Sequence, residues 1–438
     1  MVKRVPDYNE LYSHFDLTVR KKMSKIVKPE LLIPAGNFEK LRVAIHYGAD
    51  AVYLAGPQYG LRKKAGNFSL PELDRAIGYA HEKKIKVYVT VNIFPRNNDI
   101  NGICLYLKKI EGFGADAAII SDPGVLRIAK KNVPNLPVHL STQANTTNLE
   151  SVKFWYEQGI KRVCVARELS LQEIRGIAEK TDMEIELFIH GAMCMSYSGR
   201  CFMSKHLVDR DANEGDCSQP CRWEYYLMEE KRVGEYFPVE QDGSGTYFFS
   251  SKDMCLIKHI PELMKSGATS FKIEGRMKSV YYTGMVTKIY REAIDSCWKD
   301  RENYIYKPEW EEELLKTSNR TFTSGFFYGK EADTVSNYSN TSQTYDFLGI
   351  VKQTLPENRA LVNIRNKFIS GDDVEWVGKT GKPVPLNIGF IFDTDGICKK
   401  EVVQPNEEAI IQFDGPVEEY DILRKKRNGR HPRQVPGS

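Results

Sequence analysis

Residues 30–56 read ELLIPAGNFEKLRVAIHYGADAVYLAG, and this stretch decides the fold. An apolar run at Glu30–Ala35 is followed by a polar turn, an amphipathic stretch at Phe38–Tyr47 and a second apolar run at Ala51–Gly56. The periodicity predicts strand, helix, strand. Outward from it the same unit recurs, with runs at Lys86–Asn92, Ala117–Asp122, Val138–Gln143, Arg162–Glu168, Glu184–Gly191 and Ser270–Arg276. Helical patterns lie between or after them at Pro71–Lys84, Gly102–Gly112, Leu149–Gln158, Leu171–Lys180 and Ser279–Cys297. Near-continuous apolar strands alternating with helices indicate a parallel sheet covered on both faces. Eight such units predict an α/β fold, a closed (β/α)8 TIM-like barrel, rather than an open doubly wound sheet.

The starts of the seventh and eighth runs are about 85 residues apart, far more than the other spacings. The excess predicts an insertion at about Ala192–Cys255, which carries four cysteines and β-like runs (Tyr225–Met228, Tyr247–Ser250) around a turn at Asp242–Gly245. Barrel active sites form from the loops after the strands, so an insertion after strand seven sits at the chemical face. Asp300–Thr344 is mixed and polar, with a short helical piece at Trp310–Lys316, and reads as a connector. From Phe347 to Leu423 short strands alternate with turns, the pattern of a small antiparallel β-barrel. The expected organisation is a basic segment at 1–28, the barrel at 29–299 with its Cys-rich insertion at 192–255, a connector at 300–345, a β-barrel at 346–425 and a basic tail at 426–438.

At 438 residues the chain is long enough for two or three domains and for a full core. Lys+Arg 62 against Asp+Glu 58 leaves +4, so any nucleic-acid contact has to rely on local clustering of charge. No apolar run approaches the 18 or so residues of a membrane helix, and the start, MVKRVPDYNELYSHFDLTVRKK, is too charged for a signal peptide. A soluble, cytoplasmic protein with no membrane partner is expected. Nine cysteines without an export signal argue for thiols kept reduced or bound to metal.

The strongest chemical signal is Cys194, Cys201, Cys217 and Cys221, spaced C-x6-C-x15-C-x3-C. Gly191, Gly199 and Gly215 let the backbone turn and Pro220 stiffens the last pair, so four thiolates can converge. Tetrahedral zinc and an iron–sulfur cluster both accept four cysteines, and the wide first spacing tilts weakly toward a cluster. Cys104, Cys164, Cys255, Cys297 and Cys398 are scattered as core thiols usually are.

The run ELFIHGAMCMSYSGRCFMS (Glu186–Ser204) resembles the signature of the collagenase-like peptidase family U32. PELLIPAGNFEKL (Pro29–Leu41), YGADAVYLAG (Tyr47–Gly56), SSKDMCLI (Ser250–Ile257), SFKIEGRMKS (Ser270–Ser279) and FTSGFFYG (Phe322–Gly329) resemble its other blocks, in the same order, so that the likeness runs from about residue 29 to 425. What the resemblance implies is oxygen-independent hydroxylation, of a wobble uridine in tRNA, a cytidine in ribosomal RNA, or a quinone precursor. It also implies a [4Fe-4S] cluster on cysteines matching Cys194, Cys201, Cys217 and Cys221. Quinone-pathway members lack the terminal β domain and the ribosomal type is longer. A barrel plus one small β-barrel is similar to the branch that makes 5-hydroxyuridine in the tRNA anticodon loop with prephenate as co-substrate. A paralogous family subunit is a further partner that the resemblance implies.

Residues at the carboxyl ends of the strands should face the site: Asn37, Asn92, Asp122, Gln143, Arg167, Glu168, His190, Glu274 and Arg276. A dianion such as prephenate needs guanidinium forks, for which Arg200, Arg276 and Arg167 are the candidates. An internal ion pair between Glu274 and Arg276 is the structural alternative. His190 reads as a proton donor, a partner to a cluster sulfur, or a hydrogen-bonded core histidine. The catalytic candidates are therefore His190, Glu274, Arg276 and Arg167, with Arg200, Asn92, Gln143 and Arg62 as substrate-binding residues.

A peptidase is the competing reading. There is no H-E-x-x-H, since His81-Glu82 is followed by Lys-Lys-Ile, and no G-x-S-x-G elbow. Phosphate-loop and dinucleotide fingerprints are also missing. For RNA the basic clusters are Arg20-Lys21-Lys22 with Lys25 and Lys28, Arg62-Lys63-Lys64 beside Tyr59 and Phe68, and the tail from Arg424, while Phe94 with Arg96 follows strand three.

Overall fold

The computed structural model describes residues 27–62, 65–194, 196–197, 200–201, 203–220, 240–242, 245–247, 252–329 and 343–427. Eight parallel strands form the first sheet: β1 (Glu30–Pro34), β2 (Ala51–Leu54), β3 (Lys86–Val91), β4 (Ala117–Ile120), β5 (Val138–Leu140), β6 (Arg162–Cys164), β7 (Glu184–Ala192) and β8 (Ser270–Ile273). Each pairs with the next, and β8 pairs in parallel with both β7 and β1, which closes the barrel. Helices Phe38–His46, Leu70–Glu82, Ile100–Gly112, Pro123–Asn132, Leu149–Glu157, Leu171–Ala178 and Val280–Lys299 cover it.

Several of these helices start on a polar side chain that follows a strand directly. Asn37 accepts from the Lys40 amide and Asp122 from the Val125 amide, both at 2.9 Å. The two residues expected to face the site are thus N-caps that satisfy otherwise orphan amides. Ser69 with Glu72 and Ser170 with Glu173 form full capping boxes.

The two faces of each strand bury different chemistry. Leu31, Ile33, Val52, Leu54, Val87 and Val89 belong to the large apolar layer under the helices. Leu32, Ala51, Tyr53, Tyr88, Ala117 and Ile119 form a separate small cluster inside the barrel. Charges fill the rest of that interior. Arg162 reaches Glu30 at 2.6 Å, Glu184 at 2.8 Å and Glu186 at 3.7 Å. Lys272 reaches Glu186 at 2.7 Å and stands 4.6 Å from the Tyr53 ring centre. Tyr88 and Ser270 donate to the two oxygens of Glu30 at 2.7 and 3.0 Å.

The insertion leaves and rejoins the barrel at one place, because Asp253–Cys255 pairs antiparallel with the end of β7 at His190–Ala192. Glu240–Asp242 and Gly245–Tyr247 form a hairpin around the expected turn. Tyr225–Met228 and residues 248–251 lie outside the described residues. In the connector, the helix spans Pro308–Leu315, and Arg320 forms a buried ion pair with Asp253 at 2.6 Å.

The second sheet is antiparallel: β9 (Tyr345–Leu355), β10 (Arg359–Ile364), β11 (Asp373–Val377), β12 (Val384–Phe392), β13 (Glu408–Phe413) and β14 (Ile422–Lys426). Its order β11-β14-β9-β10-β13-β12, with β12 returning to β11, makes a closed six-stranded barrel with its own core. It packs on the first barrel through Val43, Tyr47, Val280, Tyr281 and Met285 against Ile350, Val377 and Ile422. Gly284 permits the approach, since a Cβ there would stand 2.6 Å from Ile422 Cδ1.

Arg424 belongs to this contact and corrects the expectation of a loose basic tail starting there. It is 0 % exposed, lies in β14, and pairs with Glu313 and Glu375 at 2.6 Å. Lys425 and Arg427 are likewise neutralised by Asp372 and Asp346 at 2.6 Å. Residues 428–438 lie outside the described residues, as does the 1–26 part of the basic N-terminal segment. No described helix is long and apolar enough to cross a membrane.

The interior charges lead to a stability prediction. Arg162→Met strips Glu30 and Glu186 of a partner inside the sheet, and an uncompensated buried charge costs about 3–5 kcal/mol. The urea midpoint of this variant should fall accordingly. A midpoint within error of the parent would show that the network contributes nothing.

Candidate functional site at the barrel mouth

A cavity of about 120 Å3 opens at the carboxyl end of the barrel strands. Its floor comes from the barrel, with Tyr53, Thr90, Asn92, Phe188, Lys272, Glu274 and Arg276 among the lining side chains. Its roof comes from the insertion, with Cys194, Cys201, Cys217 and Pro220 lining the same space. Two close approaches fix roof and floor together. Gly191 has φ +109, and a Cβ there would collide with the carbonyl oxygen of Glu274. Gly215 has φ +90, and its Cβ would stand 3.1 Å from Gly60 O and from Leu61 Cα, on the loop that carries Arg62. Only glycine tolerates both the backbone and the contact. Arg62 itself has φ +68, an uncommon backbone for a non-glycine residue, and it lines the cavity.

Lys272, Glu274 and Arg276 recur at every second residue from β8 into the turn beyond it, and all three line the cavity. Glu274 pairs with Arg167 at 3.3 Å and lies 4.0 Å from Arg62. Burial pushes its carboxyl up, but Arg62, Arg167, Arg276 and Lys272 together outweigh that and hold it below the usual range. The alternative of a Glu274–Arg276 pair is not what forms. Arg276 is 2 % exposed, donates to Thr90 Oγ1 at 3.1 Å, and has no carboxylate at ion-pair distance among the described residues. Its Nε finds no hydrogen-bond partner there either. Desolvation lowers its pKa to about 10, so it keeps its charge at neutral pH, offset in part by the field of Glu274 but not by an ion-pair partner.

The remaining candidates are placed as follows. Asn92 accepts from the Leu61 amide at 3.1 Å and donates to Ser141 at 3.3 Å, holding the Arg62 loop over the mouth. Gln143 lines the cavity with a buried Oε1 that has no partner among the described residues. Arg200 is exposed at the rim, donating to Gln143 O at 3.0 Å with its guanidinium 5.2 Å from the Phe94 ring centre.

His190 is not brought into the cavity. It is 2 % exposed among Tyr282, Tyr290 and Phe322, with Nδ1 3.3 Å from the Tyr290 hydroxyl. The cause is a bulge: Lys272 pairs with Phe188 but Ile273 pairs with His190, so β7 carries one extra residue at that step. An extra residue reverses the alternation, and His190 faces the helix Val280–Lys299 while Phe188 faces the cavity. Thr90, Tyr53 and Lys272 line the site but were not expected there. Lysine within the apolar run SFKI was the available signal, because a cation in a covered strand has to face the barrel interior.

Cys194, Cys201 and Cys217 are free thiols, and the Gln219 amide stands 3.4 Å from Cys217 Sγ as a donor. Cys221 lies outside the described residues, next to the cavity-lining Pro220. Among the described residues no three His, Cys, Asp or Glu side chains stand close enough to hold a single metal ion. Soft thiol donors facing Arg62, Arg167, Lys272 and Arg276 across the cavity are a donor set that would suit an anionic iron–sulfur cluster.

The family model for peptidase family U32 matches residues 36–337, and the model for the U32 C-terminal domain matches residues 343–424. The chain belongs to peptidase family U32. Within U32 it is 40 % identical over 402 residues to the tRNA hydroxylation protein P1 of Bacillus subtilis, covering 91 % of this chain and 95 % of that one. It is 35 % identical to the tRNA hydroxylation protein P of Escherichia coli, with 94 % and 99 % covered. The 23S rRNA 5-hydroxycytidine C2501 synthase of Escherichia coli is 37 % identical over 272 residues, 62 % of this U32 chain and 40 % of that enzyme.

The buried histidines of this U32 barrel set an acid limit on its stability. Burial lowers His190 and His139 to about 3. An unfolded histidine binds a proton near pH 6.5, so below that pH the unfolded chain holds more protons and stability falls as the pH falls. Between about pH 7 and pH 5 each contributes a loss of about 2 kcal/mol. His190→Gln should therefore lose less stability than the parent over that interval in urea titrations. Identical losses would mean that His190 takes up its proton in the folded protein as readily as in the unfolded chain.

Proposed function

We propose that this chain is a cytoplasmic tRNA-modifying enzyme that hydroxylates C5 of the wobble uridine, dependent on prephenate and on a [4Fe-4S] cluster. Its relatives' names support an RNA hydroxylase. The observation that carries the reading is Arg276, a buried cation without a carboxylate, facing the same cavity as Cys194, Cys201 and Cys217.

Prephenate bears two carboxylates, and a guanidinium meets a carboxylate with paired hydrogen bonds. In this reading Arg276 takes one carboxylate and Arg167 and Arg62 flank the other, with Glu274 as the positioning residue that keeps those two side chains in place. Cys194, Cys201, Cys217 and Cys221 would hold the cluster, which with four cysteine ligands would supply one-electron transfer or shape the pocket. Replacing C5–H by C5–OH removes two electrons from the base and adds an oxygen atom, so the reaction needs an oxygen donor and a two-electron acceptor in addition to the one-electron cluster. The uridine must leave its stack to enter the mouth, at a cost of a few kcal/mol. Phe94 and the exposed Tyr197 at the rim offer the stacking surface that offsets it. A peptidase is less well supported, because among the described residues no histidine lines the cavity to serve as base for a cysteine.

Protein purified without air should be brown and contain iron, and Cys201→Ala should lose both. Stoichiometric zinc without iron would rule out the cluster. In a host lacking tRNA uridine hydroxylation, the parent chain should restore 5-hydroxyuridine derivatives by mass spectrometry of wobble nucleosides. Arg276→Ala should raise the prephenate requirement more than it weakens tRNA binding. Hydroxycytidine in ribosomal RNA, with tRNA unchanged, would transfer the activity to the ribosomal substrate.

A further inference from the structure

The basic clusters picked out from the sequence leave the RNA-binding surface unassigned. Arg62 is engaged at the cavity, Arg424 is buried in the domain contact, and Arg20, Lys21, Lys22, Lys25, Lys63 and Lys64 lie outside the described residues. A different surface has the required chemistry. Between the helices Pro123–Asn132 and Leu149–Glu157 runs a groove of about 490 Å3, lined by Arg127, Lys130, Lys131, Phe154 and Trp155 among others, and by no acidic residue.

The three cations are exposed, and none forms an ion pair among the described residues. They sit at i, i+3 and i+4, on one flank of their helix. Phe154 is 51 % exposed and its ring lies 5.1 Å from that of Trp155, two aromatics at the surface of a helix whose other side packs on the barrel. Phe154 is thus exposed directly beside these cations, while Trp155 is half-buried against the barrel core and fixes the edge of the groove. The groove begins at Pro123, just beyond the end of β4 at Ile120, so it starts at the mouth face. Ten helical residues at 1.5 Å each carry it about 15 Å down the flank.

We propose that this groove binds the sugar–phosphate backbone of the RNA whose base enters the cavity. Arg127, Lys130 and Lys131 take successive phosphates, and Phe154 and Trp155 pack against ribose or an unpaired base. RNA helices are recognised through phosphates and 2′-hydroxyls rather than through base edges, so a groove lined by three cations and two aromatics, with Gln158 as a further hydrogen-bonding side chain, matches a stem flanking the target loop. The proposal rests on the reading of the chain as an RNA-modifying enzyme and adds the surface by which it holds the body of its substrate.

The test uses the full chain and an unmodified full-length tRNA transcript, with binding followed by fluorescence anisotropy across a salt series. The triple variant Arg127→Ala, Lys130→Ala, Lys131→Ala removes only exposed side chains, and circular dichroism checks its fold. Its affinity should fall at least about tenfold, and its slope of log affinity against log salt should shrink by about 2 to 3, close to one per phosphate contact. Phe154→Ser should weaken binding with the salt slope unchanged. Unaltered affinity and slope in the triple variant would overturn the proposal. So would a parent chain that sediments as a dimer while Phe154→Ser is a monomer of undiminished tRNA affinity, since the face then belongs to a second copy. If the triple variant loses binding but wobble nucleosides never depend on the protein, the groove stands and the hydroxylase reading falls.

Discussion

Arg162 and Lys272 stand inside a closed sheet, and each is tolerated there because Glu30 and Glu186 face it from other strands. A buried charge without a partner is strongly destabilising, so these strands are held to the one register in which cations and carboxylates meet. That register also decides what appears at the mouth. With Lys272 fixed on Glu186, the alternation carries on to Glu274 and Arg276, and the chain delivers a carboxylate and a guanidinium into the cavity. The interior is therefore a charged column, ion-paired low in the barrel, with Arg276 at the top lacking a carboxylate at ion-pair distance among the described residues.

The unsatisfied end is what a ligand site requires. Glu274 is shared by Arg167 and Arg62, which leaves Arg276 to Thr90 and backbone oxygen. Filling that gap with an anion supplies the charge that the fold itself withholds. The insertion is bound to the same place by glycine, since Gly191 and Gly215 bring its backbone against Glu274 and the Arg62 loop, closer than any side chain allows. Cysteines and cations are thus one assembly, held by contacts between backbones.

The second barrel is joined to the first by an apolar seam and by one buried arginine. Arg424 lies between Glu313 of the connector and Glu375 of β11, with Tyr281 of the last barrel helix at 3.2 Å. Through it the connector, the helix Val280–Lys299 and the antiparallel barrel share one set of charges. Arg424, Lys425 and Arg427 of the run that closes the described residues are consequently engaged in ion pairs rather than free.

The barrel was legible in the sequence because a covered parallel strand must be apolar along its length and a helix must show its own period, and both patterns recur from Glu30 to Cys297. The cysteines were legible for the same local reason, as four thiols gathered in one insertion. Glu274, Arg276 and Arg167 could be placed because strand ends point at the mouth in any such barrel. What sequence could not decide was anything that depends on a partner far along the chain. A single extra residue in β7 turns His190 out of the site, and nothing local marks that bulge. Arg424 reads as part of a solvated run until Glu313 and Glu375 close on it. Asn37 and Asp122 are a different case, since the amides they cap lie only three residues on and the N-cap pattern was there to be read locally. Local pattern determined which elements form, because it reflects burial and periodicity along one segment. Tertiary structure alone decided which charges are spent on each other and which remain for a ligand, because pairing is set by neighbours on other strands and helices, tens to more than a hundred residues away in sequence.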